Sequence, residues 1–71
     1  MENIQISLAA ARVNAKMTQA DVAKAMHVTK STVVAWENGK TEPKISQARE
    51  LSELYSFPLE NIFLPMKSNN N

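Results

Sequence analysis

The sequence predicts a small all-α fold, five short helices around one core. Three observations predict it. Apolar residues recur at helical spacing along most of the chain. Hydroxyl residues stand at helix-starting positions, at Thr18 and Thr29, and the lone glycine, Gly39, stands where a helix would stop. The 71 residues leave room for one core only, and a chain this short buries about 60% of its unfolded surface.

The first helix is expected from about Ile4 to Asn14. Ile4, Leu8, Ala11 and Ala15 share one face, and the alanine run Ala9-Ala10-Ala11 favours helix. The second starts at Thr18, where Thr18 and Asp21 have the spacing of a capping box. Val22, Ala23 and Met26 form its buried stripe. The third starts at Thr29, runs to about Asn38 and stops at Gly39, with Val33 and Trp36 inward. The pair Val33-Val34 raises a strand alternative, which the caps at both ends outweigh. Its other face carries Thr29, Lys30, Ser31, Val34, Ala35 and Asn38. The fourth helix follows Pro43, at about Lys44 to Tyr55, with Ile45, Ala48, Leu51 and Tyr55 inward. A short fifth follows Pro58, with Leu59, Ile62 and Phe63 as its apolar residues. One domain is expected over residues 1–66, and 67–71 reads as a polar tail.

Composition excludes several classes. The chain has no cysteine and one histidine, so disulfides and cysteine-based zinc sites are ruled out and no metal or cofactor is expected. No apolar run approaches the ~20 residues of a membrane span, and the N-terminus does not read as a signal peptide, so a cytoplasmic protein is expected. No nucleophile–base pair or shielded carboxylate pair points to an enzyme. Net charge is only +1; residues 1–30 carry +2, 31–48 balance, and 49–71 carry −1. Charge alone would not assign a nucleic-acid partner.

The functional signal lies in the run from Met17 to Lys40. Two capped helices joined by a tight turn present a polar, partly basic face that packing does not require. A helix fits the major groove, where each base pair shows a distinct donor and acceptor pattern. Lys30 can donate to guanine, Ser31 can donate or accept, and Ala35 or Val34 can touch a thymine methyl. Gln19, in the first turn of the second helix, can bond a phosphate or brace the third helix. Asn38 and Lys40 can hold a second stretch of backbone. Trp36 reads as core because it shares the face of Val33, and His27 as a turn residue.

These residues resemble the helix-turn-helix domain of Cro/CI-type phage repressors, the XRE-like family. The matching residues are Arg12, Thr18-Gln19, Val22-Ala23, Val28-Thr29, Ser31-Thr32, Val33, Trp36-Glu37-Asn38-Gly39-Lys40, Pro43, Leu59 and Ile62-Phe63. The resemblance runs from about Leu8 to Phe63 and implies a five-helix, lambda-repressor-like domain. It implies base reading by Thr29, Lys30, Ser31, Thr32 and Ala35, and phosphate contact by Thr18, Gln19, Asn38 and Lys40. It also implies an internal ion pair between Arg12 and Glu37. Its expected partner is double-stranded operator DNA, bound as a homodimer, with Leu59, Phe63, Leu64 and Met66 at the dimer interface and no small-molecule ligand. An antitoxin-type or restriction–modification autoregulator, or a protein-binding adaptor on the same fold, are the alternatives. Relatives often carry glycine where this chain has Lys16, His27 and Ser56, so Lys16 and His27 are expected at positive φ.

Overall fold

Capping residues divide the chain into its elements, and the computed structural model describes residues 6–63. A short strand β1 (Ile6–Ser7) leads into helix α1 (Leu8–Asn14). Helices α2 (Gln19–Met26), α3 (Lys30–Glu37) and α4 (Ile45–Tyr55) follow. A single 3₁₀ turn (Leu59–Asn61) then leads into strand β2 (Ile62–Phe63).

The first helix starts later than its apolar spacing suggests. The Ser7 hydroxyl accepts the Ala10 N–H at 3.0 Å, with Ser7 itself extended, so the cap falls at Ser7. Ile4 lies outside the described residues. At α2 the capping box closes in both directions: Asp21 N–H donates to Thr18 Oγ1 at 3.0 Å, and Thr18 N–H to Asp21 Oδ2 at 2.8 Å. At α3, Thr32 N–H donates to Thr29 Oγ1 at 3.2 Å. Each such cap satisfies a backbone donor that the helix start leaves free.

Among the described residues, four reverse the chain in the left-handed region. Gly39 does so at φ 75°, and Lys16, His27 and Ser56 do so at 61°, 58° and 53°. The expectation for Lys16 and His27 therefore holds. At the turn after α2, Val28 N–H donates to Ala23 O at 2.9 Å while the Val28 side chain packs against the core. That contact anchors a turn built on a residue with a Cβ.

The core gathers one stripe from each helix. Leu8 and Ala11 come from α1, Val22, Ala23 and Met26 from α2, Val33 and Trp36 from α3, and Leu51 and Tyr55 from α4. Ile62 closes it from β2.

Two expectations need correction. The fifth helix is not formed: only one 3₁₀ turn follows Pro58, and Ile62–Phe63 then extend and pair in parallel with β1, Ile6 beside Ile62 and Ser7 beside Phe63. Ile62 is β-branched, which suits an extended backbone, and pairing satisfies groups that a one-turn helix would leave open. The described residues thus form four α-helices and a two-residue parallel ladder. Second, Ile45 is not inward but 70% exposed. As the first residue of α4 it stands one turn ahead of Ala48, where the buried stripe begins.

Candidate nucleic-acid interface

Helix α3 is rooted by two side chains, Val33 at 1% and Trp36 at 3% exposure. That leaves Thr29, Lys30 and Ser31 exposed at its start, with Thr32, Val34 and Ala35 half-buried along its flank. Asn38 and Lys40 are exposed at its end. Three residues, His27 to Thr29, separate α2 from α3, and these two helices make the most extensive contact in the domain.

The start of α3 holds a cluster of hydroxyls. Thr29 Oγ1 lies 3.0 Å from Ser31 Oγ and 2.8 Å from Thr32 Oγ1. It also accepts the Thr32 N–H, and a hydroxyl has one proton and two lone pairs. Thr29 Oγ1 therefore donates to one neighbour and accepts from the other. The neighbour that accepts keeps its own proton for an outside partner. Nothing local in the sequence beyond the run of hydroxyl residues signals this linkage.

The far end of α3 is held by a network centred on Glu37. Arg12 Nε donates to Glu37 Oε2 at 2.7 Å and Nη2 reaches Oε1 at 3.4 Å. The pair is well shielded, with side-chain exposures of 14% for Arg12 and 7% for Glu37. Arg12 Nη1 donates to the Met17 carbonyl at 3.0 Å, which fixes the turn between α1 and α2. Gln19 Nε2 donates to Glu37 Oε1 at 2.9 Å. One carboxylate thus ties α1, the first residue of α2 and the last residue of α3. Burial beside this pair pushes the Tyr55 hydroxyl up to about 12; desolvation is the main cause, Glu37 adds to it and Arg12 opposes it.

This network changes what Gln19 offers. Its amide nitrogen is engaged inside the protein, so its side chain braces α3. The first-turn N–H groups of Gln19 and Ala20 lie ahead of the first intrahelical bond, made by Val22 N–H to Thr18 O at 3.1 Å. Those groups, with the positive end of the helix dipole, favour an anion at the start of α2. Asp21 in the same turn is held below the usual carboxylate range by the Thr18 N–H first, then the Thr18 hydroxyl, with Lys24 helping.

The residues expected at a dimer interface are only partly in view. Leu59 is half-buried in the 3₁₀ turn, and Phe63 contributes its backbone to β2. The Phe63 side chain, Leu64 and Met66 lie outside what the structure describes. Among the described residues there is no cluster of acids, histidines or cysteines fit for a metal ion, and no helix is long and apolar enough to cross a membrane.

Comparison with known proteins agrees with this geometry. The helix-turn-helix family profile matches residues 8–62. An uncharacterized HTH-type transcriptional regulator of Methanocaldococcus jannaschii is 33% identical over 48 residues, covering 68% of this chain and 73% of that protein. A second, from Archaeoglobus fulgidus, is 32% identical over 53 residues, covering 75% of each. No solved structure matches.

Proposed function

This chain belongs to the helix-turn-helix family, in its Cro/CI (XRE-like) form, and on that premise we propose that it is a cytoplasmic transcriptional regulator that reads operator DNA with α3. The observation that carries the reading is the division of α3. Val33 and Trp36 fix it to the core, Glu37 fixes its end, and Thr29, Lys30 and Ser31 are left facing solvent.

Lys30, Ser31, Thr32 and Ala35 are assigned to base edges. Lys30 donates to guanine, the hydroxyl with a free proton donates to a base acceptor, and Ala35 meets a thymine methyl. Thr29 holds the hydroxyl cluster in place. The open N–H groups at Gln19 and Ala20, beside the Thr18 cap, and the side chains of Asn38 and Lys40 are assigned to phosphates, which set register without selecting sequence. Two copies bind a palindrome with half-sites about 34 Å apart, one helical turn. The biological role is that of a phage- or prophage-type repressor. The family is one of binding modules, and no catalytic step is assigned.

Selection from a pool of random duplexes tests the reading. Enrichment of a palindromic site is expected, with affinity falling steeply as salt rises, because neutralised phosphates release counterions. A protein that enriches no sequence would favour the adaptor alternative.

A further inference from the structure

A groove of about 320 Å³ opens between α2 and α4, lined by Ala25, Met26, Glu50, Glu53 and Leu54. Its floor is apolar and its rim is acidic, and α3 contributes nothing to it. Glu50 and Glu53 are exposed, and neither side-chain carboxylate has an ion-pair or hydrogen-bond partner among the described residues. They stand three positions apart on α4, a spacing at which like charges repel along a helix. Arg49 is adjacent in sequence to Glu50 and so does not face it, and although it stands four positions before Glu53 it forms no ion pair with that carboxylate. Two unpaired carboxylates beside apolar surface fit an occupant that brings apolar side chains and a cation.

The chain itself contains such a segment. After Phe63 the sequence reads Leu64-Pro65-Met66-Lys67, two apolar side chains followed by the last cation of the chain. Residues 49–71 carry a net −1, so Lys67 is one of only two cations there against three glutamates. Four residues beyond β2 reach at most about 14 Å.

We propose that the Leu64–Lys67 segment of a second copy docks in the α2–α4 groove, with Leu64 and Met66 on Met26 and Leu54 and with Lys67 between Glu50 and Glu53. The proposal rests on the dimer reading above and gives that dimer its contact. The exchange is reciprocal, so a two-fold pair makes the contact twice. Because α3 lines no part of the groove, the contact leaves the DNA-reading face open.

Sedimentation equilibrium of the full chain tests it, with three variants beside the wild type. Glu50→Lys with Glu53→Lys weakens dimerisation by roughly tenfold or more, since each exposed pair is worth only a few-fold but is lost twice. Lys67→Glu alone weakens it similarly. The triple variant recovers most of the loss, which a general folding defect would not allow. A wild-type dimer whose affinity ignores all three changes overturns the docking while leaving the dimer reading intact. A wild type that stays monomeric, both free and on selected DNA, overturns both. Charge reversals that weaken the dimer without rescue in the triple variant also overturn the docking. So does a disulfide that forms within single chains of a Glu53→Cys, Met66→Cys double variant but not between mixed single variants, because it places the segment on its own groove.

Discussion

Replacing Arg12 by alanine leaves the Glu37 carboxylate, 7% exposed, without its guanidinium. The contacts at 2.7 and 3.4 Å disappear, and the Met17 carbonyl loses its donor at 3.0 Å. Among the described residues, the Gln19 amide at 2.9 Å is then the one side-chain donor left on Glu37. Breaking a buried pair from one side costs about 3–5 kcal/mol. The remaining Gln19 bond and the partial exposure of Arg12 place this case at the lower end, about 3 kcal/mol. A domain of this length has roughly 4–10 kcal/mol in total, so the variant loses a large share of it. The midpoint of thermal unfolding falls by on the order of 12–24 °C. Urea unfolding followed by the fluorescence of Trp36, the only tryptophan, measures the change directly. Replacing both Arg12 and Glu37 by methionine removes the stranded charge and is expected to restore at least half of the loss. An Arg12→Ala protein within about 0.5 kcal/mol of wild type, a difference typical of inert surface changes, would refute the brace. So would a double variant that loses the sum of its two single losses.

The remaining predictions concern the turn, the buried tyrosine and the DNA face. His27→Gly relieves a left-handed residue that carries a Cβ, so a gain of about 0.5–1 kcal/mol in urea unfolding is expected after the entropy cost of glycine; no gain would mean the His27 side chain contributes contacts of its own. Tyr55 ionises at about 12 in the fold against an ordinary value of 10.0. Its stabilising contribution is therefore complete below pH 10 and is lost as pH rises toward 12, by at most about 2 kcal/mol once solvent screening is allowed for. The alkaline decline should be shallower in Tyr55→Phe, and identical declines would contradict the assignment. Lys40→Ala should weaken binding to every DNA sequence alike and lower the salt slope by about one; a loss confined to one site sequence would make Lys40 a base contact.

Local chemistry was legible in the sequence, and long-range pairing was not. The Thr18–Asp21 and Thr29–Thr32 caps each close within three residues, so residue types at fixed spacing suffice to place them. The left-handed turn at His27, φ 58°, was expected through the resemblance alone, because relatives often carry glycine at that place. The end of the domain failed for the opposite reason. Leu59, Ile62 and Phe63 suit one turn of helix as well as a strand, and the partner that decides, Ile6–Ser7, lies at the other end of the chain. Ile45 was misplaced because periodicity gives a face without saying where along the helix the core begins. At the candidate site the exposed face of α3 follows from Val33 and Trp36 alone. That Gln19 can brace α3 was one of two roles its place allowed, but its partner Glu37 was not legible, since the contact joins two polar residues on separate helices and leaves no periodic trace.

The central claim is that α3 reads base edges through Lys30. Affinities of the wild type and Lys30→Ala, measured on the selected site and on a set of its single-base variants, test it most directly. The account predicts that the wild type discriminates at one guanine position by about 1–3 kcal/mol and that Lys30→Ala loses this discrimination while keeping the others. A Lys30→Ala protein that keeps the full wild-type preference at every position would contradict it.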